Sequence, residues 1–134
     1  MQKKNWIKME APVGILDVGT VIWIKYPFED KNGSKFRPAV ILGHDNGKTK
    51  AVVLKISSVT KYDDNEKYPY AHRVRDIISS ELKDPSYVLT DKELIIPENM
   101  KCERIGILSQ EDLKRVNALH NVAVLRRKNV TQTL

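Results

Sequence analysis

From Thr20 to Phe28 the chain reads TVIWIKYPF, a run dense in β-branched and aromatic residues that stops at Pro27 and predicts a first strand beginning just after Gly19. The polar EDKNGSK that follows carries the Asn-Gly turn signal. A second strand is predicted from Arg37 to Gly43. HDNGK repeats the turn chemistry, and TKAVVLKISS, Thr49 to Ser58, predicts a third strand, completing an antiparallel meander. From Val59 to Tyr70 the pattern turns polar, with Asp63, Asp64, Asn65 and Glu66 in succession, and predicts a long exposed loop. AHRVRDII reads as a further strand, SSEL as a helical turn, and SYVLTDKELIIP as another strand restarted after Pro85. Ser109 can cap a last helix whose first turn holds Gln110, Glu111 and Asp112; Leu113, Val116 and Leu119 or His120 give it one apolar face. NVAVL reads as a final strand and RRKNVTQTL as a frayed tail. The fold class is mainly β with a C-terminal helix, a small and strongly bent β-barrel. The expected organisation is an N-terminal extension (1–18), one barrel domain (19–125) and a basic C-terminal tail (126–134).

Within this pattern SKFRPAVIL, Ser34 to Leu42, sets a lysine and an arginine against a proline that opens an apolar run. Proline donates no backbone hydrogen bond and is tolerated at the first residue of a strand, and it holds the preceding residue extended. Arg37 is therefore expected at the mouth of the second strand, held in place and suited to gripping a ligand. A surface ion pair with Glu29 or Asp30 is the alternative for it.

Composition narrows the class. The 134 residues, 41% hydrophobic and 30% charged, suit one soluble domain, and no apolar run approaches a membrane span. The basic start MQKKNWIKMEAPVGIL lacks the continuous apolar core of a signal peptide, so a cytoplasmic location is expected. A single cysteine, Cys102, excludes an intrachain disulfide and reads as a small, semi-buried hydrophobe. The net charge of +6 is uneven: residues 1–60 carry 10 basic and 5 acidic side chains, residues 61–112 carry 8 and 12, and residues 113–134 carry 5 and none. Basic ends around an acidic middle would attract phosphates and set orientation. No phosphate-binding glycine loop, no GxSxG, no HExxH and no CxxC is present, and His44, His72 and His120 are too scattered to form a ligand set. Neither a metal nor another cofactor is expected.

GTVIWIKYPF, KFRPAVIL, VLKISS, LKDPSYVLTDKEL and IGILSQEDLKRV, in this order, resemble the PemK/MazF family of bacterial toxin endoribonucleases from about Gly19 to about Val116. That family reads Gly-Asp-Val/Ile with an aromatic-rich strand, Arg-Pro-Ala-Val-Val-Leu, Pro-Ile-Thr-Ser, a Pro-Ser-Tyr/Val-Val strand and Gly-x-Leu-Ser. The resemblance implies an SH3-like barrel that forms a homodimer, cuts single-stranded RNA without metal and is restrained by an acidic antitoxin. It carries the Arg of Arg-Pro onto Arg37 and the first hydroxyl of Ile-Thr-Ser onto Ser57. In such a reaction the adjacent 2′-hydroxyl attacks phosphorus, and fixed donors must meet the charge growing on the non-bridging oxygens. A planar guanidinium fork suits that task, with Ser57 adding a hydroxyl bond or serving as an ordinary strand-end residue. PemK-type members follow their Val-Val strand with Arg-x-Asp, where this chain has Leu89, Thr90 and Asp91. Asp91 is thus a candidate base or a turn residue, and Arg73 or Arg75 a candidate for the missing cation. Lys35, Ser58, Lys61, Tyr62, Arg73 and Arg75 are the expected RNA contacts, with Tyr62, Tyr68 and Tyr70 as stacking platforms or packing residues. Two other readings stand beside the nuclease: a barrel that binds nucleic acid without cutting it, and a barrel toxin that poisons DNA gyrase without chemistry.

Overall fold

The computed structural model describes residues 10–30, 33–47 and 49–133, with side chains described outside 26–30, 33–35 and 129–133. Seven strands, β1 (Glu10–Pro12), β2 (Thr20–Asp30), β3 (Gly33–His44), β4 (Lys50–Ser57), β5 (Ala71–Arg73), β6 (Tyr87–Pro97) and β7 (Lys101–Ile107), form one sheet. Their order is β1-β7-β2-β3-β4-β6-β5 and every pair is antiparallel. Among the described residues the two edge strands, β1 and β5, do not pair with each other, so the barrel is open. A short helix α1 (Ile77–Ser80) and a long helix α2 (Gln110–Thr133) complete the chain.

The central strands β2, β3 and β4 carry apolar runs because both faces of the sheet are covered there. Successive side chains alternate between faces. Ile22, Ile24, Ala39, Ile41, Ala51 and Val53 pack with Val13, Ile96 and Cys102 on one side. Val21, Val40, Leu54, Ile56 and Val88 pack with Val74, Leu108 and Val116 on the other, where α2 lies. Each valine, leucine or isoleucine among them contributes about 1.5–3 kcal/mol when fully buried. Cys102 is 3% exposed, and burial first, then the charge of Glu10, pushes its thiol up to about 11, which leaves it inert.

The predicted meander is present, with β3 four residues longer at its start than expected. Residues 10–15, read as extension, join the sheet: β1 pairs with β7, and Val13 in the following 3₁₀ turn is fully buried. Strand β7 went unread because charges interrupt its apolar residues. AHRVRDII supplies strand only over Ala71–Arg73, since the Asp76 carboxylate then accepts from the Ser79 backbone N–H (2.9 Å) and starts α1. NVAVL and the segment through Thr133 are helix, not strand and tail. No proline or glycine interrupts residues 110–133, and a helix already nucleated at Ser109 propagates through valines that would favour a strand elsewhere.

The start of α2 is tied down at a buried cluster. Ser109 Oγ accepts from the Asp112 N–H (3.0 Å), as its capping role predicts. The Asp112 carboxylate, 1% exposed, accepts from the Arg75 and Asp76 N–H groups (3.0 and 2.9 Å) and from His72 Nε2 (2.7 Å). Burial works to raise its pKa, but the bonds from Asp76, His72 and Arg75 together outweigh burial and hold the carboxyl below its ordinary value. Two glycines are required nearby. Gly19 has φ +95°, and a Cβ at Gly106 would stand 2.4 Å from the Ser80 carbonyl oxygen, where α1 crosses β7.

Candidate active site

The β3–β4 ladder runs through Val40–Leu54 and Ala39–Lys55 and goes no further. Beyond that rung the strands part, because β3 stays with β2, pairing Arg37 with Ile24, while β4 stays with β6, pairing Ser57 with Tyr87. Pro38 follows from its chemistry here. With no N–H to offer, it occupies the residue at which β3 loses its β4 partner. The expectation that Arg37 stands at the start of a strand is thus corrected: it lies inside β3, at the start of the β3–β4 pairing.

Arg37 is two residues before Ala39 and Ser57 two residues after Lys55, on the two strands that leave this rung. Residues paired across a sheet share a face, so Arg37, Lys55 and Ser57 belong to one face, continuing that of Ala39 and Val53. All three are half-buried. They line a groove of about 800 Å³ whose walls also include Ser58, Val59, Lys61 and Tyr62 from the loop after β4, Leu82 and Lys83 after α1, and Arg104 on β7. The lining holds the cations Arg37, Lys55, Lys61, Lys83 and Arg104 against the anions Glu81 and Glu103. Ser57 Oγ accepts from the Val59 N–H (3.2 Å), which leaves its own O–H as a donor.

Of the residues anticipated from sequence, Arg37, Ser57, Ser58, Lys61 and Tyr62 come together in this groove. Asp91 does not. It is exposed on β6 in the stretch between the Ile56–Val88 and Leu54–Glu93 pairs, where β6 loops out of register, and it is not part of the lining. Arg73 also lies outside the lining and is held by Asp63 (3.4 Å) and Asp84 (3.2 Å); the Asp84 bond, against the opposing effect of desolvation, raises its pKa. Arg75 is exposed and outside the lining, its backbone N–H spent on Asp112. The side chains of Lys35, Glu29 and Asp30 lie outside the described residues.

The tyrosines pack mainly on one another. Tyr62 meets Tyr68 edge-on at 4.9 Å and tilts against Tyr87 at 6.0 Å, and Lys61 Nζ sits 5.2 Å from the Tyr62 centroid. The Tyr87 hydroxyl is buried without a well-formed hydrogen bond; burial first, then the nearby Asp63 carboxylate, raises its pKa. Open aromatic surface at the groove comes instead from Trp23 and Phe36, 37% and 54% exposed, with rings nearly parallel at 6.4 Å. Sequence reading missed this pair, although an aromatic in each of two strands joined by a short turn was the available signal. It also missed Lys55, Lys83 and Arg104, which only the fold gathers.

Residues 17–122 match the family described as PemK-like, MazF-like toxin of type II toxin-antitoxin system. None of the curated proteins gives a significant match. Among solved structures, MazF in a MazE-MazF complex from Deinococcus radiodurans is similar with a TM-score of 0.63 at 16% identity, over 82% of this chain and 96% of that one. An endoribonuclease in complex with its cognate antitoxin, from a Mycobacterial species, gives 0.60 at 14%, over 80% and 92%. MazF alone from Deinococcus radiodurans gives 0.60 at 16%, over 81% and 96%. At these identities the structural likeness establishes the fold: an antiparallel β-barrel with a C-terminal helix. Among the described residues no helix is long and apolar enough to cross a membrane.

Proposed function

Since the chain belongs to the PemK-like, MazF-like toxin family of type II toxin-antitoxin systems, we propose that it is an endoribonuclease that cuts single-stranded RNA without a metal ion and so halts translation and growth. What supports this reading is that Arg37 and Ser57, on the two strands that part beyond the Ala39–Lys55 rung, both line one groove with more cations than anions. A phosphate seated in the gap receives the Arg37 fork from one bank and the Ser57 hydroxyl from the other. The substrate's 2′-oxygen attacks phosphorus, the P–O2′ bond forms and the P–O5′ bond breaks. The 2′-hydroxyl proton passes to solvent water and the 5′-oxygen takes a proton from solvent, giving a 2′,3′-cyclic phosphate and a 5′-hydroxyl. Arg37 stabilises the charge developing on the non-bridging oxygens and does not move the proton, because arginine stays protonated.

A labelled single-stranded RNA incubated with the protein in EDTA tests this. Cutting with cyclic-phosphate ends is expected, and it should vanish in Arg37→Ala while the fold persists. Arg37→Lys should restore little, since an ammonium lacks the two-bond fork. An Arg37→Ala protein that still stops growth when expressed defeats the mechanism and turns attention to gyrase. Leu89 lies in the groove lining where the PemK-type pattern has arginine, which favours one second reading: a barrel that holds RNA without cutting it. RNA that is shifted in a gel yet left intact would select that reading.

The proposed partners are an acidic antitoxin laid over the basic groove, folding as it binds, and a second copy of this chain. The open edges at β1 and β5 motivate self-association. Sedimentation at micromolar concentration giving only a 15.4 kDa monomer would count against the homodimer.

A further inference from the structure

Losing the arginine at position 89 leaves the groove short of one cation if it is to cut RNA, and neither Arg73 nor Arg75 reaches the lining. We propose that Lys55 supplies the second positive charge to the phosphate seated between Arg37 and Ser57. This rests on the endoribonuclease reading above.

Three observations converge on it. Lys55 belongs to the last closed rung of the β3–β4 ladder, opposite Ala39, so it stands at the apex of the gap whose banks carry Arg37 and Ser57. Its side chain shares their face. Ser57 is two residues along the same strand, about 7 Å away and within reach of a four-carbon stem, and Arg37 is two residues before Ala39, the partner of Lys55 on that rung. Lys55 is half-buried and lines the groove, above the fully buried Ala39 and Val53. A lysine in that position runs its methylenes over apolar surface and carries its ammonium to the opening, where the low polarity beneath strengthens its attraction for a phosphate. Of the other cations in the lining, Lys61 belongs to the loop after β4, and Lys83 and Arg104 come from elements that do not flank the gap. Position 55 is proline in the Pro-Ile-Thr-Ser pattern, where this chain has lysine. Lys55 transfers no proton in this scheme; it lowers the barrier by charge alone.

The test compares the full-length protein with Lys55→Met and Lys55→Arg. Cleavage of a short labelled RNA at saturating enzyme reads the chemical step, and binding of the same RNA with a 2′-deoxy sugar at the scissile position reads affinity across a salt series. The chemical step is expected to fall about 10²-fold in Lys55→Met and to recover to within several-fold of the original in Lys55→Arg. The slope of log affinity against log salt should shrink by about 0.7, one phosphate contact on a single strand. If Lys55→Met melts early, Lys55→Gln carries the same comparison. An original protein that cuts RNA, with a Lys55→Met or Lys55→Gln form equal to it in both rate and salt slope, overturns the proposal and leaves the nuclease reading intact. An original protein that neither binds nor cuts RNA overturns both.

Discussion

Two polar clusters in this molecule are treated in opposite ways. Around Asp112 the fold encloses the charge, and the backbone of Arg75 and Asp76 together with His72 and Ser109 serves its carboxylate. Around Arg37 the fold does the reverse: the sheet opens, cations from several elements line the gap, and Ser57 keeps its hydroxyl proton for another acceptor. A polar cluster enclosed within the protein fixes the position of an element, whereas one lining an open groove with an excess of positive charge suits the anionic ligand proposed above. Titratable residue type alone distinguishes neither. His72 and Asp112, which could be mistaken in a sequence for acid-base machinery, are a fastening for α2.

This contrast can be broken by mutation. The largest effect is expected at Arg37→Ala, a loss of about 10³-fold in RNA cleavage, equivalent to about 4 kcal/mol of transition-state stabilisation, with an unchanged melting temperature. Asp112→Ala should do the opposite, costing about 3 kcal/mol or more in a urea titration because it leaves His72 and two backbone N–H groups without their acceptor. If Arg37→Ala unfolds the protein while Asp112→Ala leaves its urea midpoint unmoved, the assignments of the two clusters are reversed. Ser57→Ala should slow cleavage about 10²-fold and keep some activity, a smaller loss than at Arg37 since one donor goes instead of a fork.

A pH series sharpens the comparison further. The folded state holds the Asp112 carboxyl below its ordinary value, so its contribution to stability is complete above the unfolded value near about 3.9 and fades as pH falls through the folded one. The stability gap between the original protein and Asp112→Asn should accordingly be widest near neutrality and narrow toward about pH 3; a gap constant with pH would show that the charge of Asp112 contributes nothing. The smallest effect is expected at Asp91→Asn. Its exposed place in the out-of-register stretch of β6 predicts cleavage within about twofold of the original, and a loss beyond tenfold would draw Asp91 back into the reaction.

Much of this protein was written locally. The turn residues and β-branched runs of 20–58 define the meander, because a strand's preferences and an Asn-Gly turn act within a few residues. Ser109 defines the start of α2 for the same reason, since a cap bonds three residues ahead. Arg37 and Ser57 were singled out by motif, and the fold brings both into the lining of one groove. The tertiary structure decided the remainder. It turned NVAVL from strand to helix through propagation from a distant cap, placed Val13 in the core through β7, and put Asp91 outside the groove through a register shift against β4. It also enclosed His72 with Asp112, 40 residues apart, and brought Lys55 to the apex of a gap that exists only because β3 and β4 follow different partners. Propensity and capping are local energies that a short stretch of sequence contains. The exposure and company of a charged side chain depend on which strands pair and where they part, a property of the whole sheet.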